Sequence, residues 1–561
     1  MTRQSTTRQH RLTRVLFGAT FGLPKRTSRD IDGELDFAIR MPDGVELLAD
    51  RWAPLGPADD VPTVLVRTCY SRKAFWALVG RSLAERGFQT VIVNSRGTFG
   101  SGGGPFYPMH HEHDDGVAVL EWLRAQPWYR GSLILAGASY LGYTQWAVAA
   151  EATDDVIAMH PHITSARLAQ NFTVTGALEL DTAARWSYFT ARQELRGANA
   201  RLALGVDRKQ LDRALNTLPV NVIDTEMIGR AWPFYQDTIV RLEDDPRWHP
   251  WNRSVDVPRV RIPASFLAGW YDPFLVDQLA DFAAMQSAGT PSRLTVGPWT
   301  HMAFGVSVAS VRDTIEWSGI QSGRAPASGR VPDGVPVRAP VHVYVMGSRQ
   351  WQDFDAWPPR ESVATPWYLA GDGRLAERPD AAAEPSRYRY DPADPTPSVG
   401  GRLLLTGAGR KNNRSLEARA DVLTFTSAPL TDDLRIVGEL TADVWMTSSR
   451  PTWDVFVRLC DVDARGRSHN VTDGLIRVTL PDSESASDAP RLIRVRLAPT
   501  AQLFVRGHRF RVQVSSGAHP RFARNLGSAD EQVEGTELFV AEQAVFHDAE
   551  HPSSVTLPVL V

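Results

Sequence analysis

The sequence predicts an α/β protein, with a parallel sheet covered by helices on both faces, a helical insertion, and an all-β sandwich or jelly roll behind it. Three observations carry this. Short apolar runs at 63–66, 90–93, 133–136, 156–159, 264–268 and 294–296 alternate with helical stretches, and strands apolar on both faces belong to a sheet buried between helix layers. One of these runs, Leu133-Ile134-Leu135-Ala136-Gly137-Ala138-Ser139-Tyr140-Leu141-Gly142, stops at glycine, presents one hydroxyl and continues into a helical Thr144-Gln145-Trp146-Ala147. Beyond Pro358-Pro359 the pattern turns to short alternating runs such as Val455-Phe456-Val457-Arg458-Leu459 and Phe510-Arg511-Val512-Gln513-Val514, the mark of all-β structure.

Taken in chain order, residues 1–29 are arginine-rich and hold a short apolar stretch around 15–23. It is interrupted by glycines, and Pro24-Lys25-Arg26 stands where a small-residue cleavage site belongs, so a secretory signal is not expected. The four sequons at Asn171, Asn252, Asn413 and Asn470 then carry no meaning. From about residue 34, Phe37, Ile39 and Met41 alternate, Asp43-Gly44 turns, and Val45, Leu47 and Ala49 alternate back, which is a hairpin. The alternation of strand and helix follows, with helices expected over 74–86 and 116–124. The α/β domain is thus expected over 30–160 and again over 256–360. Between them, 161–255 reads as a helical cap rich in aromatics, including Trp186, Tyr188, Phe189, Trp232 and Trp251. The all-β domain is expected over 361–561, with residues 483–490 as a surface loop.

The chain has 561 residues, 43% of them hydrophobic, and a net charge of -3. That excludes a disordered protein and offers no electrostatic case for nucleic acid or an anionic membrane. No stretch approaches the roughly 18 apolar residues of a membrane helix. Cys69 and Cys460 lie too far apart in sequence for a disulfide framework or a four-ligand zinc site, so a reducing, cytoplasmic setting is expected.

The run at Ser139 has the layout of a nucleophile elbow, a sharp strand-to-helix turn that lifts a serine oxygen off the sheet and needs small neighbours, here Gly137 and Gly142. A serine needs a base, and the base needs an orienting acid. In α/β-hydrolases these follow as Ser, acid, His, on loops after later strands. Asp272, in Gly269-Trp270-Tyr271-Asp272-Pro273-Phe274, follows the 264–268 run, and His301, in Gly297-Pro298-Trp299-Thr300-His301, follows the 294–296 run. The expected roles are Ser139 as nucleophile, His301 as general base then acid, and Asp272 as the group that fixes the imidazole. The amide of Tyr140 is one oxyanion donor by position. The usual glycine-rich partner loop is absent after the 63–66 run; Val66-Arg67-Thr68-Cys69-Tyr70 offers the Tyr70 hydroxyl instead.

These segments, with Met41-Pro42-Asp43-Gly44, Ser95-Arg96-Gly97-Thr98-Phe99-Gly100-Ser101-Gly102 and Ala518-His519-Pro520-Arg521, make the chain similar to the cocaine esterase-like serine hydrolases. These are relatives of the X-prolyl dipeptidyl aminopeptidases and α-amino-acid ester hydrolases. The resemblance covers nearly the whole chain. It implies an α/β-hydrolase domain with an inserted cap and a carboxy-terminal, galactose-binding-like jelly roll. It also implies that the second glycine of the elbow comes one place late, at Gly142. By the same resemblance the oxyanion tyrosine falls on Tyr70, the acyl-pocket aromatic on Phe274 and a cap tryptophan on Trp186. Where the family has a second cap aromatic, this chain reads Asn171-Phe172, so Phe172 is expected at the pocket and a benzoyl-shaped site is not implied.

The expected activity is hydrolysis of esters, or of amides, of small neutral hydrophobic acyl groups, with no cofactor and no metal. Partners are limited to the small-molecule substrate, with a homo-oligomer left open. Two alternatives stand beside it. An X-prolyl peptidase would need an amine-binding acid in the cap, for which Glu179 and Asp181 are the nearest candidates. A hydrolase-fold binding protein would have lost its chemistry. The cluster His110, His111, His113, Asp114 and Asp115 reads as a helix start, Asp461-Val462-Asp463-Ala464-Arg465-Gly466 as a hairpin turn, and the glycines at 100–104 as a turn near the site.

Overall fold

The computed structural model describes residues 2–3, 8–28, 30–55, 60–195, 207–241, 244–324, 339–481, 489–528 and 532–561; most of the loop expected at 483–490 lies outside them. Among these residues, an eleven-stranded sheet runs in the order β1-β2-β3-β5-β4-β6-β7-β10-β11-β12-β13. β1 is Thr2–Arg3, β2 Ile31–Arg40, β3 Glu46–Pro54, β4 Thr63–Thr68, β5 Gln89–Asn94, β6 Leu133–Ala138 and β7 Val156–His162. β8 and β9 (Thr173–Val174, Ala177–Leu178) form a small separate hairpin, and β10 (Ala264–Tyr271), β11 (Ser292–Thr300), β12 (Val341–Val345) and β13 (Gln350–Phe354) complete the sheet.

From β5 to β12 the strands are parallel, with antiparallel strands at either side. β4, β5 and β10 are buried at every residue, as strands covered on both faces must be. The hairpin at Asp43-Gly44 is β2 and β3, where Gly44 N bonds Met41 O at 2.9 Å. Helices α1 (Arg8–Thr20), α2 (Phe75–Ala84), α3 (Glu112–Arg124) and α4 (Tyr140–Ala149) connect or cover these strands.

Three elements depart from expectation. α3 starts at Glu112 rather than 116, because Glu112, Asp114 and Asp115 occupy its first turn, where carboxylates meet the positive end of the helix dipole. β7 continues through Pro161 to His162; proline masks a strand in sequence because it cannot donate to the ladder. α1, embedded in the segment that superficially resembles a signal, packs on α2, and Phe21, just past it, reaches the Phe304–Gln321 helix. Phe21 is 5% exposed, and its ring meets those of Phe75 and Phe304.

The insertion holds α5 (Leu180–Arg192) and the helices Arg208–Ala214, Ile223–Ile228 and Pro233–Ile239, beside short 3-10 turns. Beyond it, the carboxy-terminal part is built of mostly antiparallel sheets, of seven and four strands among the described residues. Its strands Thr452–Val462 and Ser468–Thr479 pair across a hairpin whose Asp463 side chain accepts from the amides of Arg465 and Arg467. No described helix is long and apolar enough to cross a membrane.

Candidate active site

Ser139 sits at the sharp turn between β6 and α4 with φ 60° and ψ -126°, a conformation an L-residue holds only where its surroundings over-determine it. Its amide donates to His162 O at 2.9 Å, and Gly142 N reaches back to Ser139 O at 2.8 Å. Room is scarce on both sides. A Cβ on Gly137, which lies at φ +147°, would come 2.4 Å from Leu141 Cβ, and one on Gly142 would come 2.4 Å from Thr164 Cγ2. The late second glycine is therefore required by the passage of α4 against Thr164, while the position before it carries a buried Leu141.

The turn is anchored from below. The Tyr140 hydroxyl donates to Glu112 Oε1 at 2.9 Å and accepts from Met109 N at 2.8 Å; Ser95 Oγ donates to the same carboxylate at 2.7 Å, and Arg67 pairs with it. A buried carboxylate so fully bonded fixes the first turn of α4. The Tyr140 amide, at the start of that helix, belongs to the set of N–H groups that lack an intrahelical acceptor.

Asp272 and His301 follow β10 and β11 at the carboxyl end of the sheet, the end at which ligands meet open α/β sheets. With Nδ1 protonated, His301 donates to Asp272 Oδ2 at 2.7 Å, and its Nε2 lies 2.9 Å from Ser139 Oγ as acceptor. Asp272 is 0% exposed, and its other oxygen accepts from Phe274 N at 2.9 Å. The Phe274 ring stands edge-on to the imidazole, with centroids 5.3 Å apart. The structure thus brings Ser139, His301, Asp272 and Phe274 together.

Tyr70 lies on the loop after β4 and lines the same cavity as Ser139 and His301. Burial, and then the neighbouring Cys69, push this phenol well above its ordinary value, so it stays a proton donor. Trp186 Nε1 donates to the Tyr70 oxygen at 3.1 Å. This link was not visible in sequence: the cap tryptophan aims the phenol besides lining the pocket. Trp186 also stacks near Tyr140, at 5.9 Å, and Phe172, at 5.8 Å.

Two spaces meet Ser139. A cavity of about 490 Å³ is lined by Ser139, His301, Tyr70 and largely apolar side chains. A second space, of about 20 Å³, lies against Tyr140, Phe172, Trp186, Phe274 and Leu168. Leu404, from the carboxy-terminal part, lines both, a contribution that no local signal announces.

Glu179 and Asp181 line neither space. Burial raises both carboxyls, while Arg521, with Thr182, engages Glu179, and Arg185 engages Asp181.

Comparison with known proteins agrees with this architecture. Residues 43–303 match the model of the X-Pro dipeptidyl-peptidase (S15 family), and residues 334–556 match that of the X-Pro dipeptidyl-peptidase C-terminal non-catalytic domain. A cocaine esterase of Rhodococcus sp. (strain MB1 Bresler) is 30% identical, over 94% of this chain and 100% of the relative. Among solved structures, an α-amino acid ester hydrolase superposes with a TM-score of 0.77 at 21% identity, covering 94% of this chain and 96% of the other. A CocE/NonD family hydrolase of Staphylococcus aureus superposes with a TM-score of 0.67 at 16% identity, covering 94% of each chain. The fold, with its α/β-hydrolase sheet and its carboxy-terminal antiparallel domain, and the 30% identical esterase lead to one conclusion: the chain is a serine hydrolase and belongs to the cocaine esterase-like (CocE/NonD) family, related to the X-Pro dipeptidyl-peptidases.

Proposed function

We propose that the protein hydrolyses carboxylic esters of small, neutral acyl groups through an acyl-enzyme on Ser139. The observation that carries this is the continuous pair of hydrogen bonds from Asp272 through His301 to Ser139 Oγ, at 2.7 and 2.9 Å. In this reading Ser139 Oγ bonds to the ester carbonyl carbon while its proton passes to His301 Nε2. The Tyr70 hydroxyl and the Tyr140 amide stabilise the oxyanion. The tetrahedral carbon then expels the alkoxide, which takes the proton from His301, and water repeats the sequence to release the acid.

Asp272 holds the tautomer that leaves Nε2 free to accept, and it stabilises the imidazolium. The 20 Å³ space beside Phe274 and Trp186 supports a small acyl group, because the rings of Tyr140, Phe172 and Trp186 already fill that side. The esterase relative supports an ester over an amide.

The X-prolyl alternative is disfavoured by the same carboxylates that suggested it. A substrate ammonium buried without a free acid is costly, and Glu179 and Asp181 are bonded to arginines away from the cavity. A panel of chromogenic esters, with Ser139→Ala as control, tests the proposal: short-acyl esters are turned over and the variant is inert. Faster release of dipeptides from X-Pro peptides than of acids from any ester would overturn it.

A further inference from the structure

The larger cavity has a shape that the reaction alone does not require. It runs away from Ser139 between α2 and the Phe304–Gln321 helix, over the sheet. On α2 it touches Phe75, Val79 and Leu83, four residues apart and so on one face; at 1.5 Å per residue they span ~12 Å. The facing helix contributes Val306, Ser310 and Thr314, at the same spacing and over the same length. Both helices follow parallel strands, so both start at the carboxyl edge of the sheet and run back along it.

The floor is Val66 and Ala136, each two residues short of the end of its strand. The space is therefore a groove entering the body of the domain. The amino-terminal segment packs against the starts of both helices: the Phe21 ring meets those of Phe75 and Phe304, and its carbonyl accepts from Arg312 Nε at 2.7 Å. Arg14 pairs with Glu85, just past α2, at 3.3 Å.

We infer that this groove holds the alcohol part of the substrate, an unbranched apolar chain of about eight to ten carbons, so that the preferred substrates are short-acyl esters of medium-chain alcohols. The inference rests on the ester-hydrolase reading above. The side is decided by His301. It lines the large cavity but not the 20 Å³ space, and the leaving oxygen must lie beside the imidazole that protonates it. The acyl group is left the small space. The length follows from the helix faces: an extended chain advances about 1.2 Å per bond, a third of the 3.3–3.6 Å per extended residue, so ~12 Å takes about ten bonds. A volume of about 490 Å³ is that of a small-molecule pocket of roughly 300–1,000 Å³.

The test is kcat/KM for the acetates of ethanol, butanol, hexanol, octanol and decanol, run beside ethyl esters of acetic, butyric and octanoic acid. Chain length scarcely alters the chemical reactivity of alkyl acetates, so a rise reports burial. The expected rise is roughly three- to fourfold per added methylene, the worth of burying one CH₂, continuing to about octyl and then levelling, while lengthening the acyl group lowers turnover. Val79→Phe and Val311→Phe, the latter on the facing helix where Val311 also lines the groove, fill it from opposite walls and are expected to bring the octyl-to-ethyl ratio close to one. Should neither variant fold, the wild-type series together with competitive inhibition by 1-octanol decides.

A flat alcohol series, or a rise with acyl length instead, overturns the groove assignment while leaving the esterase reading intact, provided that Ser139 still reacts with a fluorophosphonate. Absence of ester turnover together with an unlabelled Ser139 overturns both.

Discussion

Among the described residues three serine-histidine-aspartate sets occur, one at the elbow and two that share Asp313, and the hydrogen bonds of the elbow set and of the Ser310 set are nearly alike. At the elbow, Ser139 Oγ lies 2.9 Å from His301 Nε2 and Asp272 lies 2.7 Å from Nδ1. Under β7, Ser310 Oγ lies 2.8 Å from His162 Nδ1 and Asp313 lies 3.0 Å from Nε2. The surroundings differ. Ser310 lies inside the Phe304–Gln321 helix, where neighbouring amides are spent on the helix ladder, whereas Ser139 precedes a helix start with free N–H groups.

Asp313 is also a shared carboxylate. Burial alone pushes it up, but Arg293, at 2.6 Å, and the two imidazoles of His160 and His162 outweigh this and hold it well below its ordinary value. His160, bonded to Asp313 and Ser318, is kept neutral by burial, which lowers it to about 4. On the proposed reading, the three residue types and their hydrogen bonds are not enough for a nucleophile. What separates the two sets is the backbone under the serine and the donors around the place where an oxyanion forms.

The comparison is broken or sharpened by matched substitutions. Ser139→Ala is expected to lower kcat by roughly 10⁶-fold, measured on a short-acyl chromogenic ester. Asp272→Asn is expected to lower it by roughly 10⁴-fold, through the wrong imidazole tautomer. Asp313→Asn is expected to act on stability instead, by about 3 kcal/mol in chemical denaturation, since it weakens the pairing of a buried Arg293. An equal loss of kcat in the folded Asp313 and Asp272 variants would break the distinction.

Tyr70→Phe is expected to lower kcat about a hundredfold by removing one oxyanion donor, with KM little changed. A further effect is on the pH dependence of stability. The unfolded chain protonates His160 near 6.5, whereas the folded one does so only near 4. The unfolded state binds the extra proton in that window, so stability falls as the pH drops from about 6.5 to about 4, by up to about 3 kcal/mol. Denaturation midpoints across that range check it, and His160→Gln is expected to flatten the curve.

Much of this was readable along the chain, and the failures have physical reasons. The elbow could be read because strain there demands particular residues, glycine at 137 and 142 around one serine. Asp272 and His301 could be placed because each follows an apolar strand by a few residues, and parallel strands deliver their ends to one edge. β13, Gln-Trp-Gln-Asp-Phe, escaped because it is mostly exposed and lacks an apolar face. The Ser310 set escaped because Pro161 hid the end of β7. Leu404 and the groove escaped because a cavity wall assembled from two helices, a sheet floor and another domain has no local pattern. The link from Trp186 to Tyr70 joins residues 116 apart, a distance at which spacing says nothing.

The most direct test of the central claim, that the elbow set is a nucleophilic centre and the sets on Asp313 are not, is to label the intact protein with a fluorophosphonate and locate the adduct by peptide mass spectrometry. The account predicts one adduct per chain, on Ser139, lost in His301→Ala. An adduct on Ser310, or a protein that turns over esters with Ser139 unmodified, would contradict it.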